Sequence, residues 1–149
     1  MGTRYNKGKG RAARALDAYI KLMRAAESVS SRVHARLGGH SLTPSQFGVL
    51  DALYFLGTLS QGELAGKILK SSGNITMVVD NLEKRGLVIR ERDREDRRYN
   101  SVKLTETGKT LYQKILPGHV QAIEKEIGAL TSEEQAVLGR LCKKVGLKK

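Results

Sequence analysis

The chain has 149 residues, 40 % of them hydrophobic, and carries 27 Lys/Arg against 15 Asp/Glu for a formal net charge of +12. That length holds one compact domain, or two small modules sharing helices, and the charge points to a polyanionic partner, although ribosomal and membrane-surface proteins share it. A single cysteine, Cys142, excludes an intramolecular disulfide framework, no run approaches the ~20 apolar residues of a membrane span, and the start lacks the apolar stretch of a secretory signal. A cytoplasmic location is expected, without a membrane partner.

The basic excess is clustered: residues 1–36 hold nine Lys/Arg and two acids, and five basic residues with no acid follow Leu138. Residues 1–10, rich in Gly and Lys, read as a flexible basic arm. From Arg11 to about Leu37, Leu16, Ile20, Met23, Val29 and Val33 recur at helical spacing, predicting a long helix broken at Gly38-Gly39. Thr43, Pro44 and Gln46 make an N-cap, a first helical residue and a capping-box partner for a second helix. Its apolar face is Phe47, Leu50, Leu53 and Tyr54, and Gly57 ends it. Ser60-Gln61-Gly62-Glu63 is another capping box, opening a short helix through Leu69. The next helix starts at Ser71-Ser72, runs to about Arg85 and stops at Gly86.

Leu87 to Arg92 and Asn100 to Leu104 read as two strands, joined by the nearly all-charged tip Asp93 to Tyr99. Thr105 caps a long helix through about Gly128, in which Pro117 predicts a kink. Thr131-Ser132-Glu133-Glu134 is a third capping box, and Val137, Leu138, Leu141 and Val145 share one face of the last helix.

A short helix, a tight turn, an amphipathic helix and a basic hairpin make a winged helix-turn-helix. The fold class is mainly α, with α+β character. Residues 41–104 are expected to form the DNA-binding domain, and the helices of 11–40 and 105–149 a dimerisation region. Those outer helices have more apolar surface than one chain accounts for. A homodimer with interleaved helices would cover it; a monomeric helical bundle is the alternative.

On the fourth helix, Ile75, Val78, Val79 and Leu82 form one stripe at i, i+3, i+4, i+7 spacing and must face the core. The opposite face is Gly73, Met77, Asp80 and Lys84, flanked by Asn74, Thr76 and Asn81. Small, hydroxyl, amide and thioether groups suit a major groove: Gly73 permits close approach, Asn74 and Asn81 pair with base edges, and Thr76 or Met77 meets thymine methyls. Ser71 and Ser72 stand where hydroxyls and helix-start N–H groups meet a phosphate. The hairpin tip suits the minor groove, with Arg98 inserted, Asp96 holding it and Arg94 and Arg97 on phosphates. A self-neutralised surface turn is the plainer reading of the tip.

The segment is similar to the MarR family of bacterial transcriptional regulators. The residues that match are Ser71-Ser72-Gly73-Asn74-Ile75-Thr76, Val79-Asp80-Asn81-Leu82-Glu83, Arg85-Gly86-Leu87-Val88, Asp93, Asp96-Arg97-Arg98 and Leu104-Thr105 with Gly108. Upstream, Leu42-Thr43-Pro44-Ser45-Gln46-Phe47 and Leu50 match as well. The resemblance implies a triangular, interleaved homodimer on a pseudo-palindromic operator of double-stranded DNA. It also implies repression relieved by a small aromatic or phenolic effector, held where the dimer helices meet the DNA-reading lobe. His34, Phe47, Tyr54 and Tyr112 are the pocket candidates, and ordinary core packing is the alternative for each. The family's peroxide-sensing branch uses a cysteine near the N-terminus, which this chain lacks. Cys142, beside Leu138 and Leu141, is expected to be a small buried hydrophobe; if exposed, Arg140, Lys143 and Lys144 would favour its thiolate.

No enzyme, metal site or cofactor is expected. His34, His40 and His119 lack metal-ligand spacing. Gly108-Lys109-Thr110 imitates the end of a phosphate-binding loop, but Lys103 stands where that motif needs glycine. The competing function is a non-specific architectural DNA binder, which the charge alone allows.

Overall fold

The computed structural model describes residues 10–68, 72–92 and 100–147. In chain order it contains α1 (Arg11–His34), a 3-10 turn (Ala35–His40), α2 (Pro44–Leu56), β1 (Leu59–Ser60), α3 (Gln61–Ile68), α4 (Ser72–Lys84), β2 (Val88–Arg92), β3 (Asn100–Leu104), α5 (Glu106–Ile127) and α6 (Ser132–Gly146). The chain divides into two compact units, Arg36–Val120 and the two outer segments 1–35 and 121–149.

In the central unit, α2 starts on the expected reciprocal cap. Thr43 Oγ1 accepts from the Gln46 N–H at 3.1 Å, and Gln46 Oε1 accepts from the Thr43 N–H at 3.0 Å. Ser60 and Glu63 repeat the arrangement at 3.1 and 3.4 Å and start α3. At the end of α4, Gly86 takes φ 72°, while the N–H groups of Gly86 and Leu87 return to the carbonyls of Glu83 and Leu82. This left-handed cap turns the chain directly into β2.

The sheet is antiparallel in the order β1-β3-β2. Val88 pairs with Leu104 and Arg92 with Asn100, so the two long strands stay in register up to the tip. β1 is an addition to the expected pattern: Leu59 pairs with Val102 and Ser60 with Ser101. Two residues are too short for alternation to reveal a strand.

The core of this unit gathers Leu50 and Leu53 of α2, Leu64 of α3, Ile75, Val79 and Leu82 of α4, Val88 and Val102 of the sheet, and Tyr112 and Ile115 of α5. Tyr112 and Ile115 tie the first half of α5 to the core of this unit. Its start is fixed by Thr105, whose Oγ1 accepts from the Gly108 N–H at 3.0 Å and donates to the Gly86 carbonyl at 2.6 Å. Gly108 is required there, because a Cβ would stand 2.1 Å from the Leu87 carbonyl oxygen.

The first helix differs from expectation. It ends at His34 rather than about Leu37, and Gly38-Gly39 lie inside the 3-10 turn. Burial of Leu37 and the Leu42 N–H to Leu37 carbonyl bond (3.1 Å) favour the tighter winding. Arg85, the residue after α4, braces the end of this turn, donating to the carbonyls of Ser41 (2.7 Å) and His40 (3.3 Å). Pro117 lies inside α5, which runs on to Ile127.

In the outer unit, α6 opens on the Thr131–Glu134 capping box, and the hydrogen bonds to Thr131 hold the Glu134 carboxyl below its ordinary pKa. Arg32 of α1 pairs with Glu126 of α5 at 2.8 Å. Leu16, Tyr19, Leu22 and Met23 of α1 are exposed, as are Val137, Leu138, Leu141 and Val145 of α6. No residue of α6 is buried in the single chain. Cys142 is accordingly exposed rather than buried.

Candidate nucleic-acid interface

The apolar stripe of α4 lands as its spacing requires. Ile75, Val79 and Leu82 are buried and Val78 is half-buried. That packing turns Asn74, Thr76, Met77, Asn81 and Lys84 outward, with Met77 61 % exposed. An exposed helical face of amide, hydroxyl and thioether groups with a single cation offers the donors, acceptors and apolar contact that base edges take. Ser72 and Gly73 form the first turn of α4. Ser71 lies outside the described residues, as do Arg94, Asp96, Arg97 and Arg98 of the hairpin tip.

Behind this face lies a polar cluster centred on Arg90. It stands on β2 two residues after Val88, so the pleat turns both toward the same side of the sheet. Its guanidinium pairs with Asp80 and with Glu83 (Nη2 to Oε1, 3.1 Å), and its backbone N–H donates to Glu83 Oε2 at 2.9 Å. Nη1 also donates to Gln61 Oε1 at 3.3 Å, and Gln61 Nε2 donates to Thr76 Oγ1 at 3.2 Å. One arginine thus links β2, α3 and α4.

The electrostatics agree with this geometry. The Arg90 backbone bond, then its side-chain bond, hold the Glu83 carboxyl below its ordinary pKa. Partial burial disfavours the charged Arg90, but the bonds to Glu83 and Asp80 outweigh it and raise its pKa. Asp80, expected on the groove-facing side, is half-buried and spends its carboxylate on Arg90. This pairing offsets the repulsion a lone acid would exert on a phosphate backbone.

Arg90, Gln61 and Glu83 did not emerge from sequence reasoning as site residues. A signal existed: Asp80 and Glu83 are the two acids of α4, three residues apart on adjoining helix positions, and an inward-facing strand arginine follows directly.

Three of the four effector candidates meet. The Tyr112 ring lies 4.6 Å from that of Tyr54 and 5.5 Å from that of Phe47, centroid to centroid. Phe47 and Tyr112 are 3 % and 0 % exposed and are closed in the core. The Tyr112 hydroxyl donates to Asp51, and burial followed by that carboxylate pushes its pKa up. Tyr54 stays half-buried and its hydroxyl accepts from Gln113 at 3.2 Å. His34 belongs to the outer unit, with Nδ1 3.1 Å from Ser30 Oγ.

The MarR family profile matches residues 42–99. The HTH-type transcriptional regulator MhqR of Bacillus subtilis is 37 % identical over 134 residues, covering 90 % of this chain and 92 % of that protein. The chain belongs to the MarR family. It is a DNA-binding transcriptional regulator, not an enzyme. Among solved MarR-like structures, Bordetella bronchiseptica BpsR, whose DNA binding is regulated by 6-hydroxynicotinic acid, superposes with a TM-score of 0.83 at 24 % identity, covering 95 % of this chain and 100 % of that one. NadR in complex with 4-hydroxyphenylacetate gives 0.76 at 25 % identity, covering 100 % of both chains.

Membership accounts for the winged helix and for the position of α4. Among the described residues no group of His, Cys, Asp and Glu side chains could hold a metal ion, and no helix is long and apolar enough to cross a membrane.

Proposed function

We propose that this MarR-family chain is a cytoplasmic homodimeric repressor that reads a pseudo-palindromic operator and is released by a small aromatic or phenolic effector. The observation that carries this reading is the split of α4 into a buried Ile75-Val79-Leu82 stripe and an exposed Asn74-Thr76-Met77-Asn81-Lys84 face. These residues contact bases, Gly73 lets the backbone approach closely, and Ser71 and Ser72 stand against the phosphate at the helix start. Asp80 acts from behind the face through Arg90. On the wing, Arg98 enters the minor groove, Asp96 orients it, and Arg94 and Arg97 hold phosphates.

Dimerisation is supported by the exposed apolar residues of α1 and α6, of a kind that a single soluble chain seldom leaves uncovered. Residues 11–40 and 105–149 supply that region, 41–104 read DNA, and 1–10 form a basic arm. The effector class is supported by the likeness to NadR, which is bound to 4-hydroxyphenylacetate. Of the pocket candidates His34, Phe47, Tyr54 and Tyr112, Tyr54 keeps both an exposed edge and polar reach.

Selection of bound sites from a random duplex pool tests the reading. A two-fold symmetric site with half-site centres about one helical turn apart is expected, preferred over random DNA by ~10³ or more. Recovery of unrelated sequences at equal affinity, governed by salt alone, would identify a non-specific architectural binder instead.

A further inference from the structure

We propose that Gln61 is a positioning residue that selects the Thr76 rotamer and so sets the base preference at one position of each half-site. The proposal rests on α4 being the base-reading helix. It begins with the donor inventory. A guanidinium can only donate, so Arg90 Nη1, 3.3 Å from Gln61 Oε1, fixes which end of the amide faces it. The Nε2 end must then face Thr76, whose Oγ1 lies 3.2 Å away and accepts. Arg90 is itself held by Asp80 and Glu83, so the orientation of the amide comes from an ion-paired group rather than from solvent.

Gln61 is the first residue of α3, and Thr76 lies on the exposed face of α4. Their bond therefore crosses from the supporting helix to the reading helix. A threonine inside a helix divides between two χ1 rotamers, because its hydroxyl can turn back to the carbonyls of the preceding turn. The two rotamers place the methyl and the hydroxyl differently, and a groove distinguishes them: a methyl contacts thymine, a hydroxyl bonds a base edge. A donor fixed on one side weights the choice.

The test compares site-selection profiles of wild type, Gln61→Met, Thr76→Val and the double variant. Methionine keeps the length of glutamine and removes both hydrogen bonds; Gln61→Leu serves the same comparison should the methionine variant not fold. The Gln61 variant should lose about 5-fold of preference at one symmetry-related base pair, with the remaining positions and the salt slope unchanged. A helical valine holds one rotamer by itself, so adding Gln61→Met to Thr76→Val should change nothing. An equal change in both backgrounds, an unchanged profile, or a uniform loss at every position overturns the proposal. If wild type selects no site at all, the reading of α4 fails first, and this inference goes with it.

Discussion

Glu83 receives Arg90 twice, once from the backbone N–H at 2.9 Å and once from the guanidinium at 3.1 Å. The first bond fixes where β2 begins relative to α4, and the second aims the side chain that also reaches Asp80 and Gln61. The Glu83–Arg90 pair, seven positions apart in sequence, therefore joins the two secondary elements across the Gly86 turn. On the proposed reading, in which α4 and the wing engage DNA together, their relative placement is set within this short span.

Glu83→Gln should uncouple the pair. The Glu83 carboxyl is held below its ordinary pKa, so the stability it contributes is fully present above the unfolded carboxyl value of ~4.3. It is lost as pH falls through the lower folded value. The pair is partly solvent-exposed, which limits its worth to about 1 kcal/mol. Urea midpoints of wild type and Glu83→Gln should differ at pH 7, and the gap should close as the pH falls below the unfolded carboxyl value. A difference that persists unchanged at pH 3 would show that the carboxylate charge is not the cause.

Gly108→Ala should be among the more damaging single-methyl changes in the chain. The added Cβ would meet the Leu87 carbonyl oxygen at 2.1 Å, and that carbonyl also accepts from the Thr105 N–H at 3.1 Å. Neither group is a flexible side chain, so the strand-to-helix corner must shift, at a cost of about 1–3 kcal/mol or more. Gly139 of α6 has nothing within 4 Å of the same added atom. Gly139→Ala should leave stability unchanged or raise it by up to about 1 kcal/mol. Thermal melts of the two variants check the contrast.

Most of the helical plan was legible because its punctuation is local. Three reciprocal caps, at Thr43, Ser60 and Thr131, depend on residues three apart and form as read. The α4 stripe was legible for the same reason. What escaped depends on partners distant in sequence. β1 exists only because Val102 and Ser101 lie beside it. Thr76 and Gln61 are bonded across fifteen positions, and no periodicity encodes such a pair. The exposure of Cys142 was not legible, because spacing marks the apolar face of α6 but not what covers it, and in the single chain that face is open.

Arg98→Ala tests the wing. Loss of an arginine from a narrow minor groove should weaken operator binding by ~1–3 kcal/mol, while the dimer and its melting temperature stay as in wild type. Arg94→Ala should instead weaken binding to all sequences alike and lower the salt slope by about one. Binding isotherms at several salt concentrations separate the two. Unchanged affinity in Arg98→Ala would remove the wing from the interface.

The outer helices give a prediction with an internal reporter. Leu138, Leu141, Cys142 and Val145 follow i, i+3, i+4, i+7 spacing on α6, and all four are exposed in the single chain. If this face is covered by a second copy, the thiol should react slowly with an alkylating agent at high protein concentration and faster on dilution. Leu141→Glu removes about 1.5–3 kcal/mol of apolar burial per subunit and places an unpaired carboxylate in the contact. It should yield monomers by sedimentation, rapid alkylation of Cys142 at every concentration, and operator affinity reduced to that of one half-site. Cys142→Ser should keep both the dimer and the effector response under reducing conditions, because the thiol reports on the contact without making it. Alkylation that stays fast and independent of concentration in wild type would place the dimer contact elsewhere than on α6.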